Sequence, residues 1–197
     1  MNLAIFLSGT GTNFKAIAAA IGNGYIPARI TLVASNKPDA PGLEAARELG
    51  FNTIIFQREE FPDGCSFAEY ILEALNRYEV QLIVLAGYLR KIPPRVVRVF
   101  KKRIINVHPA LLPDFGGKGM YGMNVHRAVI GSGVKETGVT VFYVDEEYDR
   151  GEIIAQRKVP VMPDDTPEML AARVLKVEHE LYPQVIKQLV ENLTGSM

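Results

Sequence analysis

The sequence predicts an α/β fold: a mostly parallel twisted sheet with helices on both faces, extended by an antiparallel hairpin and a long C-terminal helix. Three observations carry this. Apolar runs of strand length alternate with stretches of helical spacing from Leu3 to Val107, the rhythm that builds parallel sheets. Two later strand-like runs, Gly138 to Val144 and Ile153 to Val161, follow one another with no helix between them. Amphipathic spacing then continues from Thr166 to about Asn192.

Each element has a local reason. Leu3 to Leu7 is a short apolar strand, and Phe14 to Ile21 has helical spacing. Arg29 to Ala34 is the second strand. Pro41 opens a helix over Gly42 to Leu49, which Gly50 stops. Asn52 to Phe56 is a strand, Phe67 to Tyr78 a helix, and Val80 to Ala86 a strand. Pro93-Pro94 opens a short helix to about Phe100, and Arg103 to Val107 is the next strand. Pro109 to Asn124, rich in glycine, reads as a long loop, a length usual for functional or mobile segments. A short helix spans Val125 to Ile130. The hairpin strands are joined by the acidic connection Asp145 to Gly151. In the last helix Thr166 is the cap, Pro167 takes the first position, and a kink is expected near Pro183.

Composition narrows the function. At 48% hydrophobic and 22% charged, 197 residues make one globular domain with a proper core. Lys plus Arg equals Asp plus Glu, so no general nucleic-acid or membrane-surface binder is indicated. The lone Cys65 excludes an internal disulfide framework. Met1 to Gly9 lacks a basic start and reads as a strand rather than a signal peptide, and no apolar run has membrane-spanning length, so a soluble cytoplasmic protein is expected. The three histidines show no metal-ligand spacing, no metal is expected, and there is no G-x-S-x-G motif.

Asn106 and His108 stand at a strand end, two residues apart and therefore on one face. An amide that donates to a carbonyl oxygen beside an imidazole that moves protons suits a tetrahedral acyl-transfer intermediate. The competing reading has both as polar groups closing a buried strand. Ser8-Gly9-Thr10-Gly11-Thr12-Asn13 leads from a strand into a helix, either a cradle for one phosphate monoester or an ordinary glycine turn. Gly87 to Ile92 follows a buried strand, where parallel sheets bind ligands, and Leu89 and Ile92 are suited to flank a flat ring; a plain loop is the alternative. A carboxylate from the acidic connection, Asp149, would raise or orient the His108 imidazole if the two met. His126 and His179 read as surface or structural residues.

Taken together, Leu7-Ser8-Gly9-x-Gly11-Thr12-Asn13, Ser35-Asn36-Lys37, Leu85-Ala86-Gly87, Asn106 through Pro113 and Asp149-x-Gly151 resemble the folate-dependent formyltransferases, in particular the phosphoribosylglycinamide formyltransferase family. The resemblance runs from Leu3 to about Pro183. It implies a Rossmann-like formyltransferase fold in a single catalytic domain over residues 1–197, with a phosphoribosyl-substrate half over 1–100 and a catalytic and folate-binding half over 101–197. It implies transfer of a formyl group from 10-formyltetrahydrofolate, as co-substrate, to the amine of glycinamide ribonucleotide, GAR. Asn106, His108 and Asp149 would be catalytic. Gly11, Thr12 and Asn13 would hold the phosphate, with Lys176 and Glu178 on the same substrate. Folate would lie against Leu89, Arg90, Lys91, Ile92 and Asn106 and against the connection Asp145, Glu146, Glu147, Tyr148 and Asp149. The partners implied are these small molecules alone, with no nucleic acid or membrane, in a monomer or weak homodimer. A formyltetrahydrofolate hydrolase, a sugar-nucleotide N-formyltransferase and a non-catalytic folate- or phosphoribosyl-binding module are the alternatives. The chain departs from the common family pattern in a longer loop over Phe115 to Met123, in Phe142 and near Asn124, where histidines are frequent, and near Gly64, where some relatives carry an arginine.

Overall fold

The computed structural model describes residues 1–195, and among these the strands form one seven-stranded sheet. β1 (Asn2–Leu7), β2 (Arg29–Ser35), β3 (Thr53–Ile55), β4 (Leu82–Leu85) and β5 (Ile104–His108) run parallel. β6 (Glu136–Tyr143) and β7 (Ile153–Pro160) add antiparallel at the β5 edge. The spatial order is β3-β2-β1-β4-β5-β6-β7, so the chain winds outward from β1, returns, and winds out the other way. The reversal lies between β1 and β4, and a crevice opens at the carboxyl ends of strands around such a switch.

Side chains of the central strands feed two cores in alternation. Leu3, Ile5 and Leu7 of β1 pack on one face, with α1 (Thr12–Gly22), α2 (Pro41–Glu48), α5 (Met123–Ser132) and α6 (Pro167–Gly195). Ala4 and Phe6 pack on the other, with α3 (Gly64–Arg77) and α4 (Pro94–Val99). A fully apolar strand is what burial on both faces demands. The fold class read from the sequence therefore holds, and most element boundaries agree within a residue or two.

α3 begins three residues before the expected Phe67, because the Asp63 carboxylate accepts the Ser66 backbone N–H at 2.7 Å and caps the helix early. A 3₁₀ turn at Arg58–Glu60, too short to carry a periodic signal, lies between β3 and α3. α6 continues through Pro183 to Gly195. Its Tyr182 is fully buried, and the hydroxyl is shared between the carbonyls of Leu85 at 3.0 Å and Ile105 at 3.1 Å, tying the last helix to the end of β4 and to the first half of β5. Glycine is obligatory where the hairpin closes: a Cβ at Gly151 would stand 1.6 Å from the Tyr143 carbonyl oxygen. Among the described residues no helix is long and apolar enough to cross a membrane.

Candidate active site

Ile104 packs with the α3–α4 core, while Ile105 and Val107 pack on the opposite face. Asn106 and His108 share the parity of Ile104, and at the open end of β5 that parity aims both into a cavity of about 810 Å³. The cavity lies over the carboxyl ends of the central strands. Its lining includes Thr10 and Asn13, Leu89 to Ile92, Asn106, His108, Asp145, Glu147, Tyr148, Asp149 and Glu178. Residues from four segments singled out on local grounds thus meet in one space, joined by Glu178, which the resemblance alone implied.

The catalytic candidates combine a buried His108 with half-buried Asn106 and Asp149. The His108 ring is almost fully buried, with Nδ1 3.8 Å from Asp149 Oδ2, beyond hydrogen-bond range. Its Nε2 lies 2.8 Å from the Phe115 carbonyl oxygen; a carbonyl only accepts, so Nε2 carries the proton. Asp149 Oδ2 accepts the Gly117 N–H at 2.9 Å, so the loop after β5 engages both groups at once. Asp149 adopts φ 53°, a left-handed conformation that aspartate tolerates better than most residues. Burial pulls the His108 pKa below its ordinary value; Asp149 and the Phe115 carbonyl oppose that pull and do not overcome it. Asp149 does favour the charged imidazole, as expected from the sequence, but desolvation outweighs the carboxylate and the net shift is downward.

At the opposite end, Gly11 is the N-cap of α1 with φ 71°, and no side chain caps the helix. The first-turn N–H groups therefore remain available to an anion. Gly11 packs so closely on α2 that a Cβ there would lie 2.8 Å from Gly42 Cα. Asn13 Nδ2 donates to Glu178 Oε2 at 2.6 Å, and both side chains are buried. Burial pushes the Glu178 carboxyl up to about 7, against the opposing Asn13 hydrogen bond.

Some candidates stand apart. Gly11 and Thr12 lie outside the cavity lining, although their neighbours Thr10 and Asn13 are in it. Lys176 is exposed on α6 and does not line the cavity. Glu146 is drawn toward α4 by Arg98 at 2.9 Å, and it too leaves the lining. Arg90 pairs with Glu59 at 3.1 Å, and Lys91 Nζ sits 5.3 Å from the Tyr148 ring centre.

Sequence reasoning missed His126. It is 5% exposed and lines the cavity from α5, its Nδ1 has no partner, and burial together with His108 lowers its pKa. A histidine after an irregular loop carries no local signal of this. A second cavity of about 590 Å³, walled by Phe56, Phe67 and Tyr88 beside Arg58, Arg95 and Arg98, shares Tyr88, Arg90, Lys91, Ile92 and Tyr148 with the first. Among the described residues no group of three or more His, Cys, Asp or Glu side chains is placed to hold a metal ion.

Known proteins share this architecture. The formyl transferase family model matches residues 1–186. The chain is 46% identical over 190 residues to a chloroplastic phosphoribosylglycinamide formyltransferase of Vigna unguiculata, covering 96% of this chain and 61% of that one. It therefore spans about three fifths of that plant relative. It is 39% identical to the phosphoribosylglycinamide formyltransferase of Haemophilus influenzae, over 96% of this chain and 87% of the relative. The crystal structure of glycinamide ribonucleotide transformylase 1 from Geobacillus kaustophilus superposes with a TM-score of 0.89 at 41% identity, covering 96% of this chain and 98% of that one. The one from Symbiobacterium toebii does so at 0.90 and 38% identity, covering 98% and 88%. With the family pattern matched across nearly the whole sheet and its site, the chain belongs to the formyl transferase family.

Proposed function

We propose that this protein transfers the formyl group of 10-formyltetrahydrofolate to the amine of glycinamide ribonucleotide, yielding formyl-GAR and tetrahydrofolate in purine biosynthesis. The observation that carries the reading is the convergence of Asn106, His108 and Asp149 in a cavity that also reaches Asn13 and Glu178. The names of its relatives point the same way.

In this reading the phosphate lies on the N–H groups at the start of α1, around Gly11, Thr12 and Asn13, and Glu178 accepts from the sugar hydroxyls. Lys176, exposed on the same helix, adds long-range attraction for the phosphate. The folate ring lies along Leu89 to Ile92 under the Asp145–Asp149 connection. The formyl oxygen replaces the Phe115 carbonyl as acceptor of His108 Nε2–H, and the Asn106 amide donates to it from the same strand face. The amine nitrogen bonds to the formyl carbon, and the carbonyl electrons move onto the oxygen. Asp149 stabilises the imidazolium that forms as the His108 ring takes up the proton lost by the amine. That proton passes to N10 as the carbon–N10 bond breaks and the carbonyl reforms. The reaction involves small molecules alone, in a cytoplasmic monomer or weak homodimer that engages neither nucleic acid nor membrane, a view supported by the balanced charge of the chain.

One assay tests this. The protein is mixed with 10-formyltetrahydrofolate, with and without glycinamide ribonucleotide, and tetrahydrofolate is measured. Amine-dependent release is expected. Release without the amine would make the chain a hydrolase, and no release would make it a binding module.

A further inference from the structure

The loop after β1 splits its labour. Gly11 to Asn13 begin α1, but Ser8, at the head of the same loop, turns the other way. Ser8 is 3% exposed, and its backbone N–H donates to the Gly87 carbonyl at 3.1 Å. Its Oγ accepts the Leu89 N–H at 2.8 Å. The same hydroxyl donates to Asn36 Oδ1, from the segment after β2. One serine therefore grips both ends of the turn Gly87-Tyr88-Leu89, whose first residue has φ 77°. Strand order explains the meeting: β2, β1 and β4 are adjacent, so their carboxyl ends bring Asn36, Ser8 and Gly87 together.

The chemistry requires a hydroxyl. Asn36 Oδ1 can only accept, so it fixes the Ser8 hydrogen toward itself and leaves the oxygen lone pairs for Leu89 N–H. Alanine at position 8 would leave a backbone donor and an amide acceptor without partners.

We propose that Ser8, oriented by Asn36, is a positioning residue that holds the Leu89–Ile92 wall against the folate; the proposal rests on the formyl-transfer reading above. Ser8 touches no reacting atom. It sets the backbone from which Leu89 and Ile92 reach the cavity, so its removal affects one ligand and not the other.

The test compares Ser8→Ala, Asn36→Leu and Asn36→Asp with the unaltered protein. Ser8→Ala is expected to raise KM for 10-formyltetrahydrofolate about tenfold, the worth of one well-placed hydrogen bond, with KM for glycinamide ribonucleotide within about twofold. Asn36→Leu should move the same constant in the same direction. Asn36→Asp, which keeps an acceptor for the hydroxyl, should stay near the unaltered value. An equal rise in both KM values, or an unchanged folate KM, overturns the proposal. Hydrogen exchange at residues 87–92 and calorimetric binding of tetrahydrofolate are measured on the same variants. These readouts need no turnover, so they remain decisive if the protein transfers no formyl group. Faster exchange with about tenfold weaker tetrahydrofolate binding in Ser8→Ala supports the positioning role, and unchanged binding overturns it.

Discussion

Replacing Glu178 with glutamine should stabilise the ligand-free protein above neutral pH while weakening its hold on the nucleotide substrate. The carboxyl is nine-tenths buried, and burial raises it from 4.5 to about 7. Below pH 4.5 the group is protonated in both folded and unfolded chains and costs nothing. Between 4.5 and 7 the unfolded chain ionises while the folded chain keeps its proton. The folded state then binds more protons, so stability falls as pH rises through this window. Above about 7 the cost is complete, and for a shift of this size it is about 3 kcal/mol. Glutamine has the same shape, stays neutral, and still offers an oxygen to Asn13 Nδ2, so Glu178→Gln removes the cost with little else. Urea unfolding of both proteins at pH 4.5 and pH 8 measures it. The variant should match the parent at the lower pH and exceed it by up to about 3 kcal/mol at the higher. A stability difference that is the same at both pH values would refute the reasoning, because only ionisation of Glu178 makes it depend on pH.

Two other outcomes follow from the site and the hairpin. His108→Ala and Asp149→Asn should each lower turnover at least about a hundredfold with unchanged circular dichroism; asparagine tolerates the left-handed backbone at 149, so that variant removes charge alone, and near-normal rates in both would sink the assignments. Gly151→Ala should cost at least about 2 kcal/mol in urea unfolding, because its Cβ would overlap the Tyr143 carbonyl, a backbone atom with nowhere to go. Gly64→Ala, with open space around it, is the control and should stay within about 0.5 kcal/mol.

The strands and helices were legible because periodicity reports burial directly. Leu3 to Leu7 is apolar at every position because both faces of β1 are covered. The start of α3 was not, because the signal was a single capping carboxylate, Asp63, rather than a pattern. Asn106 and His108 were legible as a pair through strand parity, but their joining to Asp149 depends on the hairpin folding back, which no local spacing encodes. The net direction of the His108 shift was not legible for a related reason: desolvation is a property of the assembled cavity, and a sequence displays only the nearby carboxylate. His126 and the Ser8–Asn36 contact lie in the same class, since each depends on which strand ends become neighbours.

The contact between Asn13 and Glu178 spans 165 positions of the chain, and α6 also contributes Ala171, Ala172 and Leu175 to the cavity and Tyr182 beneath it. During synthesis the residues of β1 to β4 emerge long before this helix does. A nascent chain that has already paired β1 with β4 still lacks one wall of its pocket, and the Leu85 carbonyl at the end of β4 has not yet met Tyr182. Ligand therefore cannot template the early steps of folding, and can only reward the last one, when α6 docks.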